Sequence, residues 1–195
     1  MKTAFVIGNG ESRKNFDLTL LKGKGIIVGC NALYRDFTPD ILVAVDSRMI
    51  KEIKESALKL RSCDIYVRYR SKSLQSLRTK EIIEDGGQAS GINALNIVCS
   101  KYRKTLITVY MLGFDLYPLD TGKINNLYKD TECYNKADHK GIEPTVWIRK
   151  LKEVFEKYSS IQFKRVGNIK DKFPVKWNKL SNIKFITYEE FLSCL

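Results

Sequence analysis

The residues of this chain that could hold an anion or move a proton come in short clusters, most of them directly behind an apolar run. Gly8-Asn9-Gly10-Glu11-Ser12 follows Thr3 to Ile7. Glycines in such a turn can take positive φ or let a ligand approach the backbone, and Asn9 and Ser12 add donors suited to a phosphate or a ribose. The turn lacks the third glycine of the dinucleotide fingerprint and the Gly-Lys-Ser/Thr of a P-loop, so by itself it names no ligand. Asn31 follows a second apolar run and Asp46 a third. Ser90 and Gly91 open a helical pattern, where unpaired N–H groups make a ready anion site. Gly113-Phe114-Asp115-Leu116-Tyr117 closes a fourth cluster. The polar stretch Pro118 to Lys140 then carries Asn125, Asn126, Tyr128, Tyr134 and His139, the one histidine of the chain. Histidine is the side chain best matched to taking a proton near neutral pH.

Hydrophobic periodicity indicates the strands and helices on which these residues are carried. Thr3–Ile7, Ile26–Cys30, Pro39–Val45, Cys63–Val67, Leu106–Leu112, Ile161–Val166 and Ile183–Ile186 read as buried strands. Between them, Ser47 is expected to cap a helix with Met49, Ile50, Ile53, Ala57 and Leu60 on one face. Ile92 to Tyr102, a helix opened by Glu143-Pro144 with Trp147, Leu151 and Phe155, and a terminal helix over Tyr188 to Leu195 complete the alternation. Strands alternating with helices predict an α/β fold, a Rossmann-like, doubly wound and mostly parallel sheet, in which Asn9, Asn31 and Asp46 reach the carboxyl edge of successive strands. The segment Arg68 to Lys80, with Arg70, Lys72 and Arg78, reads as a basic surface stretch, and Gly86-Gly87-Gln88 breaks the pattern after it.

With 195 residues, 44% of them hydrophobic and 29% charged, the chain is expected to fold as one domain over residues 1–195. No apolar run approaches the roughly 20 residues that span a bilayer, and Met1-Lys2-Thr3-Ala4 leads into a strand rather than a signal-peptide core, so the reading is cytoplasmic. The five cysteines have no Cys-x-x-Cys spacing, and with a single histidine no structural metal site is expected. An excess of 34 Lys and Arg over 22 Asp and Glu, +12 in all, favours anionic partners. No DNA-binding or RNA-binding signature accompanies that charge.

Taken in order, Gly8-Asn9-Gly10-Glu11-Ser12, Cys30-Asn31, Ala89-Ser90-Gly91, Gly113-Phe114-Asp115-Leu116-Tyr117 and His139 resemble the bacterial sialyltransferases of glycosyltransferase family 42. They are similar as well to the related domain-of-unknown-function family 115, which includes archaeal pterin pyrophosphokinases. The likeness runs over residues 3 to 166 and implies a GT-A-like domain that binds a nucleotide-sugar of CMP or UDP type. It implies nucleotide contacts from Asn9, Gly10, Ser12, Asn31, Ser90 and Gly91, with Asp46 and Asp115 beside them. Tyr117 would donate to the departing phosphate together with a loop tyrosine, for which Tyr128 is preferred to Tyr134. His139 would be the base of an inverting transfer that requires no cofactor. Asp46 departs from the neutral amide of the sialyltransferases, and Mg²⁺ is the cation to expect if it is a ligand. The chain is also shorter than those enzymes between Tyr117 and His139. An anionic acceptor, hydroxymethylated DNA of the phage kind or a phosphorylated glycan, would suit the positive charge. The competing readings are a Mg²⁺-dependent pyrophosphokinase of the pterin type and a non-catalytic nucleotide-binding module.

Overall fold

A computed structural model describes residues 2–56, 60–67, 79–81 and 89–195. Ala57, the basic residues Arg68, Arg70, Lys72 and Arg78, and Gly86-Gly87-Gln88 lie outside the described residues. The architecture is α/β and Rossmann-like, built on one eight-stranded sheet. In chain order the strands are β1 Lys2–Ile7, β2 Ile26–Cys30, β3 Ile41–Ala44, β4 Asp64–Val67, β5 Thr79–Glu81, β6 Leu106–Leu112, β7 Gln162–Gly167 and β8 Ile183–Thr187. The helices are α1 Ser47–Glu55, α2 Ser90–Tyr102, α3 Thr145–Lys157 and α4 Tyr188–Ser193.

Every pairing among these strands is parallel. The sheet is therefore wholly parallel where the sequence predicted mostly parallel. Periodicity also missed β5. Thr79-Lys80-Glu81 has no apolar run, and it needs none, because an edge strand is held by its ladder with β4.

The strand order is β5-β4-β3-β2-β1-β6-β7-β8. Chain direction across the sheet reverses between β1 and β6, and a parallel sheet opens a crevice at such a point, beyond the carboxyl ends of the strands. Period-2 alternation decides which residues support which face. Ala4 and Val6 of β1 join Val28, Val43, Val109 and Met111 under α2 and α3. Phe5 and Ile7 point the other way, to Leu18, Leu21, Leu33 and Phe191 of α4. On that second face Leu42 and Ala44 meet Met49, Ile50 and Ile53 of α1. The buried stripe of α3, Ile148, Leu151, Val154 and Phe155, contributes about 1.5–3 kcal/mol per side chain removed from water. Among the described residues no helix is long and apolar enough to cross a membrane.

Candidate functional site

The crevice between β1 and β6 is shaped first by backbone contact. The Gly8 N–H donates to the Leu112 carbonyl at 2.8 Å and the Gly10 N–H to the Gly113 carbonyl at 2.9 Å, so the turns after the two strands are laced together. Side chains have no room in that lacing. A Cβ on Gly8 would lie 2.5 Å from the Gly113 carbonyl oxygen, and one on Gly10 would lie 2.6 Å from the Cβ of Asp115. Gly113 itself has φ +66°, a backbone region that glycine enters without strain.

Above this turn lies an inner cavity of about 250 Å³. Asn9, Gly10, Asn31, Ser90, Gly91 and Asp115 all line it, which brings together six sequence-predicted contacts from four distant segments. The Ser90 hydroxyl donates to Asn31 Oδ1 at 2.7 Å, joining the amino end of α2 to the carboxyl end of β2. The first N–H groups of α2 have no preceding turn to donate to, so this end of the cavity presents donors to an anion. Asn9 Nδ2 donates to the Tyr134 hydroxyl at 2.9 Å, whereas its Oδ1 is buried without a hydrogen-bond partner among the described residues. A buried acceptor left unpaired is unfavourable until a donor reaches it. Burial pushes the Cys30 thiol, also on the cavity wall, up to about 12, which keeps it protonated and poorly nucleophilic.

Ser12 plays a different part from the one expected. Its N–H donates to Asp115 Oδ2 at 2.7 Å and its hydroxyl to Asp115 Oδ1, and it does not line the cavity. Burial raises the Asp115 pKa and the two Ser12 bonds oppose the rise, so the pair serves as a brace between the turns.

An outer cavity of about 280 Å³ adjoins the inner one and shares Asp115, Leu116, Asn125, Asn126 and Trp147 with it. Tyr117, Tyr134 and Asp46 line it. Asp46 rather than Ser47 caps α1: Oδ1 accepts the Arg48 N–H at 2.8 Å, with the Arg48 guanidinium 3.8 Å away. Among the described residues no three His, Cys, Asp or Glu side chains gather as a metal site would require.

Tyr128 does not reach either cavity. It is 5% exposed and packs with the α1 cluster, its hydroxyl donating to Asp36 Oδ2 at 2.6 Å and accepting from Arg13 Nη2 at 3.0 Å. Arg13 Nε in turn donates to the Gly8 carbonyl at 2.7 Å, so Tyr128 supports the glycine turn from behind. The tyrosine that the fold brings to the outer cavity is Tyr134. Its side chain stacks at a tilt on Tyr128, ring centroids 5.7 Å apart, which is why the two exchange so easily in a reading by spacing. His139 lies outside the linings of these cavities as well. Its imidazole is 58% exposed, with Nδ1 3.8 Å from Asp138. Its backbone carbonyl accepts the Ile124 N–H at 3.0 Å, and Ile124 lines the outer cavity, so His139 is carried on the rim.

The loop that carries Tyr134 is clamped from the other side. Arg35 makes a two-pronged pair with Glu52, Nε to Oε1 at 2.7 Å and Nη2 to Oε2 at 2.5 Å, and reaches Thr131 Oγ1 and the Glu132 carbonyl with the same guanidinium. The Arg35 bonds hold the Glu52 pKa below the usual carboxylate value. A lowered folded-state value means that the stabilisation is present above the unfolded pKa, about 4.3, and is lost as pH falls through the folded one. Urea midpoints measured from pH 7 to pH 3 should therefore fall more steeply for the native chain than for Glu52→Gln. Parallel curves would show that the clamp contributes nothing.

Trp147, on these cavities, and Arg165, on a neighbouring one, are lining residues that sequence reasoning missed. Trp147 sits in an amphipathic pattern that reads as core, although it lines both the inner and the outer cavity. Arg165 lies within a strand-like run, and its signal was the charge itself: an arginine one position before the last apolar residue of a buried strand needs a partner.

No protein-family model matches the chain, and no curated protein matches it. The expected kinship with domain-of-unknown-function family 115 is thus without support. Among solved structures the chain is similar to the monofunctional α-2,3-sialyltransferase Cst-I of Campylobacter jejuni. That pair is 15% identical, with 95% of this chain and 83% of the other covered and a TM-score of 0.54. A variant of the α-2,3/8-sialyltransferase CstII matches at 14% identity, 84% and 81% coverage and a TM-score of 0.49. CstII of Campylobacter jejuni in complex with cytidine-5′-monophosphate matches at 16% identity, 95% and 89% coverage and a TM-score of 0.42. The likeness to Cst-I is one of fold.

Proposed function

We propose that this chain is a glycosyltransferase that moves a sugar from a nucleotide donor, of CMP or UDP type, to a hydroxyl of a glycan. The carrying observation is the junction of the two cavities. Asn9, Asn31 and the amino end of α2 line a nucleotide-sized inner space, and Tyr117 and Tyr134 stand in the space that adjoins it. A glycosyl phosphodiester departs with charge growing on phosphate oxygens, and hydroxyl donors aimed there stabilise the transition state without a metal. The sialyltransferase Cst-I, with the same kind of fold, agrees with this reading.

Attack from the face opposite the phosphate would invert the anomeric centre. The base is assigned to His139 on the rim, which a side-chain rotation has to bring over the outer cavity. Asp46 is the second reading for this step, because the residue already lines that cavity. The DNA acceptor was suggested by the net positive charge of the chain; the basic residues Arg68, Arg70 and Lys72 lie outside the described residues, and nothing in the site favours DNA over a glycan. Nor does any observation favour the pyrophosphokinase reading.

The test is a thermal-shift screen of CMP, UDP, GDP and ATP with and without Mg²⁺, followed by turnover of the matching nucleotide-sugar. CMP or UDP should raise the melting temperature without metal, transfer should survive EDTA, and His139→Ala should slow it about 10²-fold or more with nucleotide affinity retained. A response to ATP that requires Mg²⁺ would overturn the assignment. Loss of turnover in Asp46→Asn with His139→Ala unaffected would move the base to Asp46.

A further inference from the structure

Beside Tyr117, a third cavity of about 150 Å³ opens between the loops that follow β6 and β7. Arg165 of β7 lines it and is 2% exposed. Two of its nitrogens are committed to backbone carbonyls, Nε to Phe114 at 3.0 Å and Nη1 to Lys172 at 2.7 Å. Nη2 donates to none of the described residues, and none of the described carboxylates forms an ion pair with the guanidinium. Its pKa is lowered, chiefly by burial, with the more distant charges of Asp171 and Asp115 opposing. A buried cation with no carboxylate in direct contact is only partly compensated by the more distant charges and by the Phe185 ring, 5.6 Å from the guanidinium carbon, and a geometry locked by two carbonyls leaves Nη2 ready for an oxyanion.

The neighbours point the same way. Lys170 and Lys172 line the cavity, and the Lys172 ammonium lies 5.9 Å from the centre of the Tyr117 ring. Three carboxylates share the wall, and none of them makes an ion pair with the guanidinium among the described residues. Asp115 is bound by Ser12, and Asp171 Oδ2 accepts the Asn168 N–H at 2.8 Å; the third, Asp120, is exposed.

We propose that this cavity is an oxyanion subsite, in which Arg165, Lys170 and Lys172 hold a carboxylate or phosphate borne by one of the two substrates. Only the source of that anion rests on the sugar-transfer reading; the binding of an oxyanion does not. The subsite would make the protein selective for an acidic sugar or an acidic acceptor, because a neutral substrate leaves the guanidinium unpaired.

Inorganic phosphate, titrated into the whole chain by calorimetry with and without saturating CMP, tests the subsite. Phosphate should bind equally well in both conditions, and its Kd should rise about 10-fold or more in Lys170→Ala/Lys172→Ala, whose exposed side chains leave the Arg165 bonds to backbone intact. Arg165→Lys should weaken it as well. If the double variant binds phosphate like the native chain, or if CMP displaces the phosphate, the subsite is refuted. Transfer measured with donors and acceptors that differ only in an acidic group identifies the source: the double variant should slow the acidic substrate and leave its neutral counterpart unchanged. Equal slowing of both would refute the substrate assignment. Failure of CMP to bind, by contrast, would count against sugar transfer alone and leave the phosphate result to stand or fall separately.

Discussion

Tyr134→Phe should lower kcat by about 10²–10³-fold, the usual effect of deleting one donor that faces developing negative charge. The hydroxyl accepts Asn9 Nδ2 at 2.9 Å and, more weakly, the Ala32 N–H at 3.4 Å, so its lone pairs are occupied and its own proton is free to donate. Burial raises its pKa well above the ordinary phenol value, so it stays a donor at neutral pH. Tyr117→Phe should act in the same direction. Tyr128→Phe supplies the contrast. It deletes a hydroxyl between the Arg13 guanidinium and Asp36, and should cost about 1–3 kcal/mol of stability with kcat kept in the folded protein. Paired urea titrations and initial rates separate the two cases. A fully active Tyr134→Phe, or a Tyr128→Phe that loses turnover without losing stability, would return the leaving-phosphate role to Tyr128.

Gly10→Ala should destabilise the chain by about 1–3 kcal/mol, as overpacked sites do. Beyond that, it should weaken CMP binding by about 10-fold or more, equivalent to at least about 1.4 kcal/mol. The added methyl would lie 2.6 Å from both Cβ and Oδ1 of Asp115. Asp115 cannot swing aside cheaply, because Ser12 grips both of its oxygens. The strain must then pass into the Gly10–Gly113 hydrogen bond and spread the turns after β1 and β6, which together form the floor of the inner cavity. Denaturation midpoints and calorimetric CMP titrations read the two effects independently. An unchanged CMP affinity would place the nucleotide somewhere other than over this turn.

Much of the fold is written locally. Thr3 to Ile7, Ile26 to Cys30 and Leu106 to Leu112 announce themselves as buried strands because a parallel sheet covered on both faces needs continuous apolar runs. The turn after each of them was legible for the same reason, since ligands collect at the carboxyl edge of such a sheet. Asn9, Asn31, Ser90 and Asp115, which line the inner cavity, were singled out in this way. The departures from expected geometry have an equally physical origin. Ser12 looked like a phosphate donor because a hydroxyl beside glycine has the right chemistry, but its partner, Asp115, lies 103 residues further on. His139 had a plausible type and place, yet in a loop without periodicity nothing local aims an imidazole, and the structure leaves it on the rim.

The α/β class, the approximate bounds of seven strands, and which strand ends offer polar groups could be read along the chain, because each of these depends on short-range periodicity and turn chemistry. The three-dimensional packing alone makes β1 and β6 neighbours, brings Tyr134 rather than Tyr128 to the outer cavity, and buries Arg165 with no carboxylate in direct contact among the described residues. Those outcomes depend on which distant segments exclude water from one another, and a pattern read along the chain carries no record of that.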